Sequence, residues 1–123
     1  MGTTNILIVE DDKLQRTLIR KVIDNGQRQI AEVETAQDGL RYAQDNPVDI
    51  LLLDLSLPGR FDGFSLWEAL RRNKRFADTK VIIITGYDDP QDRIDAENLN
   101  IDHYLVKPVN AAELQALIAR LEA

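Results

Sequence analysis

The run Ile50-Leu51-Leu52-Leu53-Asp54 has four aliphatic residues in a row and ends in a carboxylate. It lacks the alternation of polar and apolar residues that is typical of a strand with one wet face. It therefore predicts a strand covered on both faces, as in a parallel sheet. A charge directly after such a strand costs free energy unless it is paired or bound to a cation. Asp54 is therefore the first candidate functional residue.

The rest of the chain alternates predicted strands with predicted helices. Further strands are expected at residues 5–9, 29–34, 80–85 and 102–106. Apolar residues at helical spacing indicate helices at residues 12–25, 37–46, 63–73 and 111–121, with a weaker one after residue 90. Four apolar residues are expected to share one face of the first helix: Leu14, Leu18, Val22 and Ile23. Five strand-helix units predict an α/β fold with a parallel sheet, helices on both faces and right-handed crossovers.

Length and charge restrict the possible functions. The 123 residues fit one compact domain, so we expect residues 1–123 to form a single domain. The formal net charge is −6, which repels nucleic-acid backbones and anionic lipid, so we expect no direct nucleic-acid partner and no membrane partner. The sequence has no cysteine, which excludes a disulfide framework and a cysteine nucleophile. No apolar run approaches the ~20 residues of a membrane span and no signal peptide is recognisable, so we expect a cytoplasmic location.

Polar residues also stand where the other predicted strands end. Glu10, Asp11 and Asp12 follow the first strand, Thr85 ends the fourth, and Lys107 follows the fifth. Ligands of open α/β sheets bind at the carboxyl ends of the strands, so these groups are expected to converge there with Asp54. Each residue taken singly has an ordinary explanation; Asp12, for instance, is a favoured N-cap for the first helix. The combination is what indicates a functional site.

The residue types at this edge favour a hard metal ion. Two unit charges 4 Å apart repel by about 4 kcal/mol at an effective dielectric constant near 20, so clustered carboxylates need a counterion. Mg²⁺ accepts oxygen ligands and relieves that repulsion. His103 is the only histidine, so a zinc site lacks ligands, and we expect His103 to be structural or partly exposed. No glycine-rich nucleotide loop and no hydrolase nucleophile motif is present in the sequence.

Phosphoryl transfer to Asp54 is the reaction that suits these groups. An aspartate can act as a nucleophile and form an aspartyl phosphate. A metal ion neutralises charge on the phosphoryl oxygens, Lys107 can pair with another oxygen, and the Thr85 hydroxyl can donate to a third. Gly86 beside Thr85 leaves space for the group. The added charge would act on its surroundings, which predicts a switch based on local electrostatics.

Five motifs, in this order and spacing, match a known family. They are Ile6-Leu7-Ile8-Val9-Glu10-Asp11-Asp12, Leu52-Leu53-Asp54-Leu55-Ser56-Leu57-Pro58, Asp62-Gly63, Ile84-Thr85-Gly86 and Tyr104-Leu105-Val106-Lys107-Pro108. Over almost its whole length the chain resembles the receiver domain of two-component response regulators. The resemblance implies a flavodoxin-like (βα)5 three-layer fold with a five-stranded parallel sheet in the order 2-1-3-4-5. It also implies a phosphoacceptor module without an output domain in these residues, and not a turnover enzyme.

The resemblance also implies roles for particular residues. Asp54 would accept a phosphoryl group from a phosphohistidine on a histidine kinase or a histidine phosphotransfer protein. The implied Mg²⁺ ligands are Glu10, Asp11, Asp54 and the backbone carbonyl of Ser56. Thr85 and Lys107 would contact the phosphoryl group, Tyr104 matches an aromatic position that reorients on activation, and the Lys107–Pro108 peptide would be cis. The module would then act on a downstream protein target or output domain.

The sequence leaves two other functions open. One is a Mg²⁺-dependent phosphatase that works through an aspartyl phosphate, although Ser56 stands where many such enzymes carry a second aspartate. The other is a pseudo-receiver that keeps the fold without phosphotransfer, against which the complete set of site residues argues. The loop after Asp54 also departs from the family pattern, because Gly59-Arg60-Phe61 makes it one residue longer than usual.

Overall fold

The computed structural model describes residues 2–55, 62–86, 88–101 and 103–123, and these residues contain a sheet of five parallel strands. The strands are β1 (Thr4–Val9), β2 (Arg28–Val33), β3 (Ile50–Leu53), β4 (Lys80–Thr85) and β5 (His103–Val106). Their spatial order is β2-β1-β3-β4-β5, so the expected fold class and strand order are confirmed. The three central strands are the aliphatic runs, as expected for strands covered on both faces.

Five α-helices follow the strands. They are α1 (Lys13–Ile23), α2 (Ala36–Asp45), α3 (Gly63–Arg71), α4 (Pro90–Asn98) and α5 (Ala111–Glu122), and a 3₁₀ turn at Lys74–Phe76 follows α3. A capping side chain that accepts a backbone amide hydrogen bond precedes each α-helix: Asp12, Thr35, Asp62, Asp89 and Asn110. The expected cap on α1 is confirmed, since Asp12 Oδ1 accepts from the Gln15 amide at 3.1 Å. None of the helices in the described ranges is both long and apolar enough to cross a membrane.

The core consists of two apolar layers, one on each face of the sheet. Successive strand residues face opposite sides, so Leu7 and Leu51 pack towards α2 and α3, whereas Ile8 and Leu52 pack towards α1 and α5. Helices thus cover both faces, which gives three layers. This arrangement leaves the carboxyl edge of the sheet as the place where polar side chains from several strands meet.

The prediction that four apolar residues, from Leu14 to Ile23, share one face of α1 is wrong. Leu14 and Leu18 are 64% and 48% exposed, whereas Arg16, Ile19 and Ile23 form the buried row. The reason is the helical repeat: Ile23 lies nine positions after Leu14, and at 3.6 residues per turn the two side chains lie about 180° apart. The helix packs the row that contains Ile19 and Ile23 on the sheet, and this row carries a buried arginine.

A bidentate ion pair joins the end of α5 to the start of β2. Arg28 Nε and Nη2 donate to the Glu122 carboxylate at 2.9 and 2.5 Å, and Arg28 Nη1 donates to the Ile23 carbonyl at 2.7 Å. Hydrogen bonding to Arg28 lowers the pKa of Glu122 below its ordinary value. A carboxyl with a lowered pKa in the folded state stabilises the fold above its unfolded pKa, and this contribution is lost as the pH falls through the folded pKa.

We expect Glu122→Gln to lower the free energy of unfolding by about 0.5–1 kcal/mol near neutral pH, because water screens a pair at the surface. At a pH low enough to protonate Glu122 in both states, the difference from wild type should vanish. Urea unfolding at both pH values measures the effect. Glu68→Gln is the control, because Glu68 pairs with Arg72 on an exposed helix face and should change stability less. A loss independent of pH would contradict the assignment.

Candidate functional site

Three carboxylates meet at the carboxyl edge of the sheet. β1 and β3 are paired with Val9 opposite Leu53, so the residues that follow them, Glu10 and Asp54, are neighbours. The Asp54 amide donates to the Val9 carbonyl at 3.0 Å, which extends this pairing to the strand end. One carboxylate oxygen each from Glu10, Asp11 and Asp54 lies within 4.8 Å of the others. The site therefore combines residues that are more than forty positions apart in the chain.

Two of the three acids are buried. Glu10 is 2% exposed and Asp54 is 4% exposed, whereas Asp11 faces solvent. Burial, together with a hydrogen bond with the Asp54 carboxylate, raises the pKa of Glu10 to about 7, although the hydrogen bond with Lys107 acts in the opposite direction. The two buried acids are therefore shielded from water, and the cluster is open to solvent on the side of Asp11.

Lys107 supplies the positive charge inside the cluster. Its Nζ lies 2.5 Å from Glu10 Oε1 and 3.4 Å from Asp54 Oδ2. Burial opposes the ammonium form, but the hydrogen bond to Glu10 and the charge of Asp54 outweigh it and raise the pKa of Lys107. The Lys107 amide donates to the Thr85 carbonyl at 2.7 Å, and the Lys107–Pro108 peptide is cis, as the resemblance implied. Lys107 is therefore a charged, oriented donor next to both buried acids.

The remaining predicted residues lie on β4 and β5 or outside the described ranges. Thr85 is the last residue of β4 and is 1% exposed. Tyr104 pairs with Ile83 in the sheet and is half-buried, and the guanidinium carbon of Arg93 lies 4.4 Å from its ring centroid. Ser56 and the longer loop at residues 59–61 lie outside the described residues.

The donor set fits a hard divalent cation. Within the described residues, the only ligand atoms of this group are carboxylate oxygens, and no histidine or cysteine belongs to it. Hard cations such as Mg²⁺ take oxygen ligands and retain water molecules, which the open side at Asp11 would admit. His103 begins β5 and is half-buried, as expected for a structural residue.

Two features of the site were not predicted from sequence. Arg16 is buried and donates to the backbone carbonyls of Glu10 and Asp11. Gly63, at the start of α3, lies against the backbone of Asp54. The one sequence signal for Arg16 is that it shares a helical row with Ile19 and Ile23, and this signal does not by itself predict burial, whereas the contact of Gly63 depends on a long-range approach of two backbones.

Comparison with known proteins gives the family. Residues 6–119 match the model of the response regulator receiver domain, and the chain belongs to this family. The sheet order and the acidic pocket at its carboxyl edge agree with that membership.

Curated relatives are longer than this chain. The KDP operon transcriptional regulatory protein KdpE of Escherichia coli is 35% identical over 92% of this chain and 48% of its own length. The transcriptional regulatory protein AfsQ1 of Streptomyces coelicolor is 32% identical over 93% of this chain and 49% of its own length. The chain thus spans about half the length of the curated relatives it matches.

Solved structures show the same fold. The receiver domain of AraT, a response regulator from Geobacillus stearothermophilus, superposes with a TM-score of 0.85 at 32% identity, covering 98% of this chain and 93% of that one. A CheY-like receiver domain protein from Methanospirillum hungatei superposes with a TM-score of 0.86 at 26% identity, covering 98% and 95%. The flavodoxin-like topology expected from the resemblance is therefore confirmed.

Proposed function

We propose that Asp54 is the phosphoacceptor of a two-component phosphorelay and that residues 1–123 act as one phosphorylation-controlled unit. The observation that carries this proposal is the geometry at Asp54. A carboxylate at the end of a buried strand lies beside two further carboxylates and within 3.4 Å of a lysine ammonium. Such a site can hold a nucleophile, a cation and an incoming phosphoryl group together.

The reaction transfers a phosphoryl group from nitrogen to oxygen. A carboxylate oxygen of Asp54 attacks the phosphorus of a phosphohistidine, and the new O–P bond forms as the N–P bond breaks. The imidazole leaves with the electron pair and takes up a proton. The donor is a histidine kinase or a histidine phosphotransfer protein. The product is an aspartyl phosphate on the chain itself, and the chain would remove this group only slowly. It is therefore proposed to be a self-phosphorylating and slowly self-dephosphorylating phosphoacceptor and not a turnover enzyme.

Mg²⁺ is the proposed cofactor. Its ligands would be Glu10, Asp11, Asp54 and the backbone carbonyl of Ser56, the last of which lies outside the described residues. When bound, the ion supplies charge neutralisation for the carboxylates and the phosphoryl oxygens. The exposed Asp11 leaves a route by which an ion can enter.

Lys107 and Thr85 are proposed to bind the phosphoryl oxygens. The Lys107 ammonium already lies between Glu10 and Asp54, and it can exchange a carboxylate oxygen for a phosphoryl oxygen with a small movement. Thr85 ends the neighbouring strand, and its hydroxyl can donate to the same group. Tyr104 on the next strand is the proposed switch residue that reports this movement to the surface.

The proposed partners follow from this switch. A phosphohistidine protein delivers the group, and a downstream protein target or output domain reads the altered surface. The names of KdpE and AfsQ1 describe transcriptional regulatory proteins. For this chain, with its net charge of −6, we propose control of another protein or domain without direct nucleic-acid or membrane binding, in the cytoplasm.

Incubation with acetyl phosphate and Mg²⁺ tests the proposal. We expect one phosphoryl group per chain, located on Asp54 by mass spectrometry, and we expect a chelator to prevent labelling. Labelling elsewhere would contradict the phosphoacceptor assignment. Fast repeated turnover of a small phosphate ester would favour the phosphatase alternative, and failure to bind Mg²⁺ or beryllofluoride would favour the pseudo-receiver.

A further inference from the structure

Arg16 is a buried cation behind the acidic pocket. The residue is 8% exposed and belongs to the row of α1 that packs on the sheet. Its Nη1 donates to the Glu10 carbonyl at 2.8 Å and to the Asp11 carbonyl at 3.2 Å. One guanidinium nitrogen thus binds the backbone of Glu10 and Asp11, the first two of the three acids that follow β1.

The other side of the guanidinium is held by two acids at the end of β2. Arg16 Nη2 lies 3.3 Å from Glu34 Oε1, and Nε lies 3.6 Å from Glu32 Oε1. Arg16 therefore connects the residues that follow β1 with the end of β2, because two edges of its planar guanidinium group make contacts at the same time. A lysine at this position could supply the charge but not these simultaneous contacts.

The carbonyl contacts determine where the loop amides point. Asp11–Asp12 is not among the cis peptides of the described chain, so its carbonyl and the following N–H point in opposite directions. Because the Asp11 carbonyl faces Arg16, the Asp12 amide faces the pocket, where it lies 3.4 Å from Glu10 Oε2. Arg16 thereby turns negative carbonyl ends away from the carboxylate cluster and a positive amide towards it.

We infer that Arg16 is a positioning residue for the acidic pocket: it fixes the backbone of Glu10 and Asp11 so that their carboxylates face the cation site with Asp54. The inference rests on the proposed function, because it assumes that the pocket holds Mg²⁺. Among the described residues, the contacts of Arg16 are with the backbone carbonyls of Glu10 and Asp11 and with the carboxylates of Glu32 and Glu34, and not with the carboxylates of the proposed cation site. Its effect passes through the orientation of two peptide groups.

Three variants test the inference. Arg16→Gln removes the charge and the fork, Arg16→Lys keeps the charge alone, and Arg20→Gln is the matched control. Arg20 lies on the same helix and pairs with the same Glu32 at 2.7 Å, but the described contacts of Arg20 include neither loop carbonyl. Mg²⁺ affinity is measured by calorimetric titration. NMR relaxation of the Asp11 and Asp12 amides is measured in the metal-free protein.

We expect Arg16→Gln to weaken Mg²⁺ binding by about tenfold, as is typical when a residue that orients a metal ligand is removed. Arg16→Lys should show most of this loss, and both variants should increase the mobility of the two amides. Arg20→Gln should bind within about twofold of wild type. If Arg16→Gln does not fold, Arg16→Lys decides the question.

Wild-type affinity and unchanged amide mobility in the Arg16 variants would overturn the inference, as would an equal loss in Arg20→Gln. Full affinity in Arg16→Lys would show that charge alone matters and would overturn the role of the fork. Absence of Mg²⁺ binding by the wild-type protein is a different result, because it refutes the proposed metal site itself. The amide measurement, which needs no metal, then still decides whether Arg16 holds the loop.

Discussion

Asp54→Asn is expected to reduce phosphoryl uptake from acetyl phosphate to background while the protein stays folded. The asparagine amide has the shape of the carboxylate but lacks a nucleophilic oxygen, so no aspartyl phosphate can form. The strand pairing at this position uses the backbone amide, which donates to the Val9 carbonyl and is unaffected. Intact-mass spectrometry after incubation with Mg²⁺ and acetyl phosphate measures the loss.

Asp12→Asn is the control for this experiment. Asp12 is exposed and caps α1, and asparagine is an equally good cap, so labelling at Asp54 should persist. Undiminished labelling of the Asp54→Asn protein would exclude Asp54 as the acceptor. Lost labelling in both variants would indicate that a general change of charge at the pocket, and not loss of the nucleophile, explains the result.

Asp54→Asn should also change how the stability of the metal-free protein depends on pH. Burial and the hydrogen bond with Asp54 raise the pKa of Glu10 from 4.5 to about 7. Because the folded state then binds the proton more tightly, this stabilisation is complete below pH 4.5 and is lost as the pH rises through about 7. Asp54→Asn removes the carboxylate that raises the pKa of Glu10. We therefore expect its unfolding free energy to exceed that of wild type by about 1–2 kcal/mol at the upper end of the range from pH 4.5 to about 7, and this difference should grow as the pH rises. Urea unfolding in the presence of a chelator tests it, and a gain independent of pH would contradict the explanation.

The sequence was sufficient to predict the sheet and the edge at which the site forms. The aliphatic run before Asp54 could be identified because a strand buried on both faces needs no polar alternation. Parallel strands place their carboxyl ends at one edge, so Thr85 and Lys107 could be assigned to that edge from position alone. The partners of these side chains could not be predicted from the sequence, because the choice of Glu10 as the main partner of Lys107 depends on side-chain packing.

Helix orientation and backbone approach were harder to predict. Leu14 and Leu18 are apolar, yet the sheet packs against the row with Ile19 and Ile23, and sequence alone does not decide between two partly apolar rows. The buried Arg16 was missed because an arginine is ordinarily assigned to the solvent face. Its burial depends on acceptors from two strand ends, and these come together only after the sheet has formed.

Gly63→Ala is expected to damage both the fold and the pocket, because Gly63 lies directly against the strand end that carries Asp54. A β-carbon built on Gly63 would lie 2.8 Å from the Asp54 carbonyl oxygen and 3.1 Å from Leu53 Cγ. The first contact is with backbone, so it can be relieved only if the end of β3 or the start of α3 moves. Overpacking of this kind costs about 1–3 kcal/mol. Alanine favours a helix by about 1 kcal/mol over glycine in a helix interior, but Gly63 is the first residue of α3 and gains less.

Gly39→Ala is the control that distinguishes a clash with backbone, as at Gly63, from a clash with a side chain. Gly39 is also a buried helical glycine, but the nearest atom to its β-carbon would be Leu66 Cδ2 at 3.0 Å, which is the end of a side chain and not backbone. We therefore expect Gly39→Ala to keep wild-type phosphoryl uptake, whereas Gly63→Ala should slow it by about tenfold or more because Asp54 is displaced from its alignment. Urea unfolding and the rate of labelling by acetyl phosphate measure the two effects. Equal rates in both variants would show that the position of Asp54 does not depend on the missing side chain at Gly63.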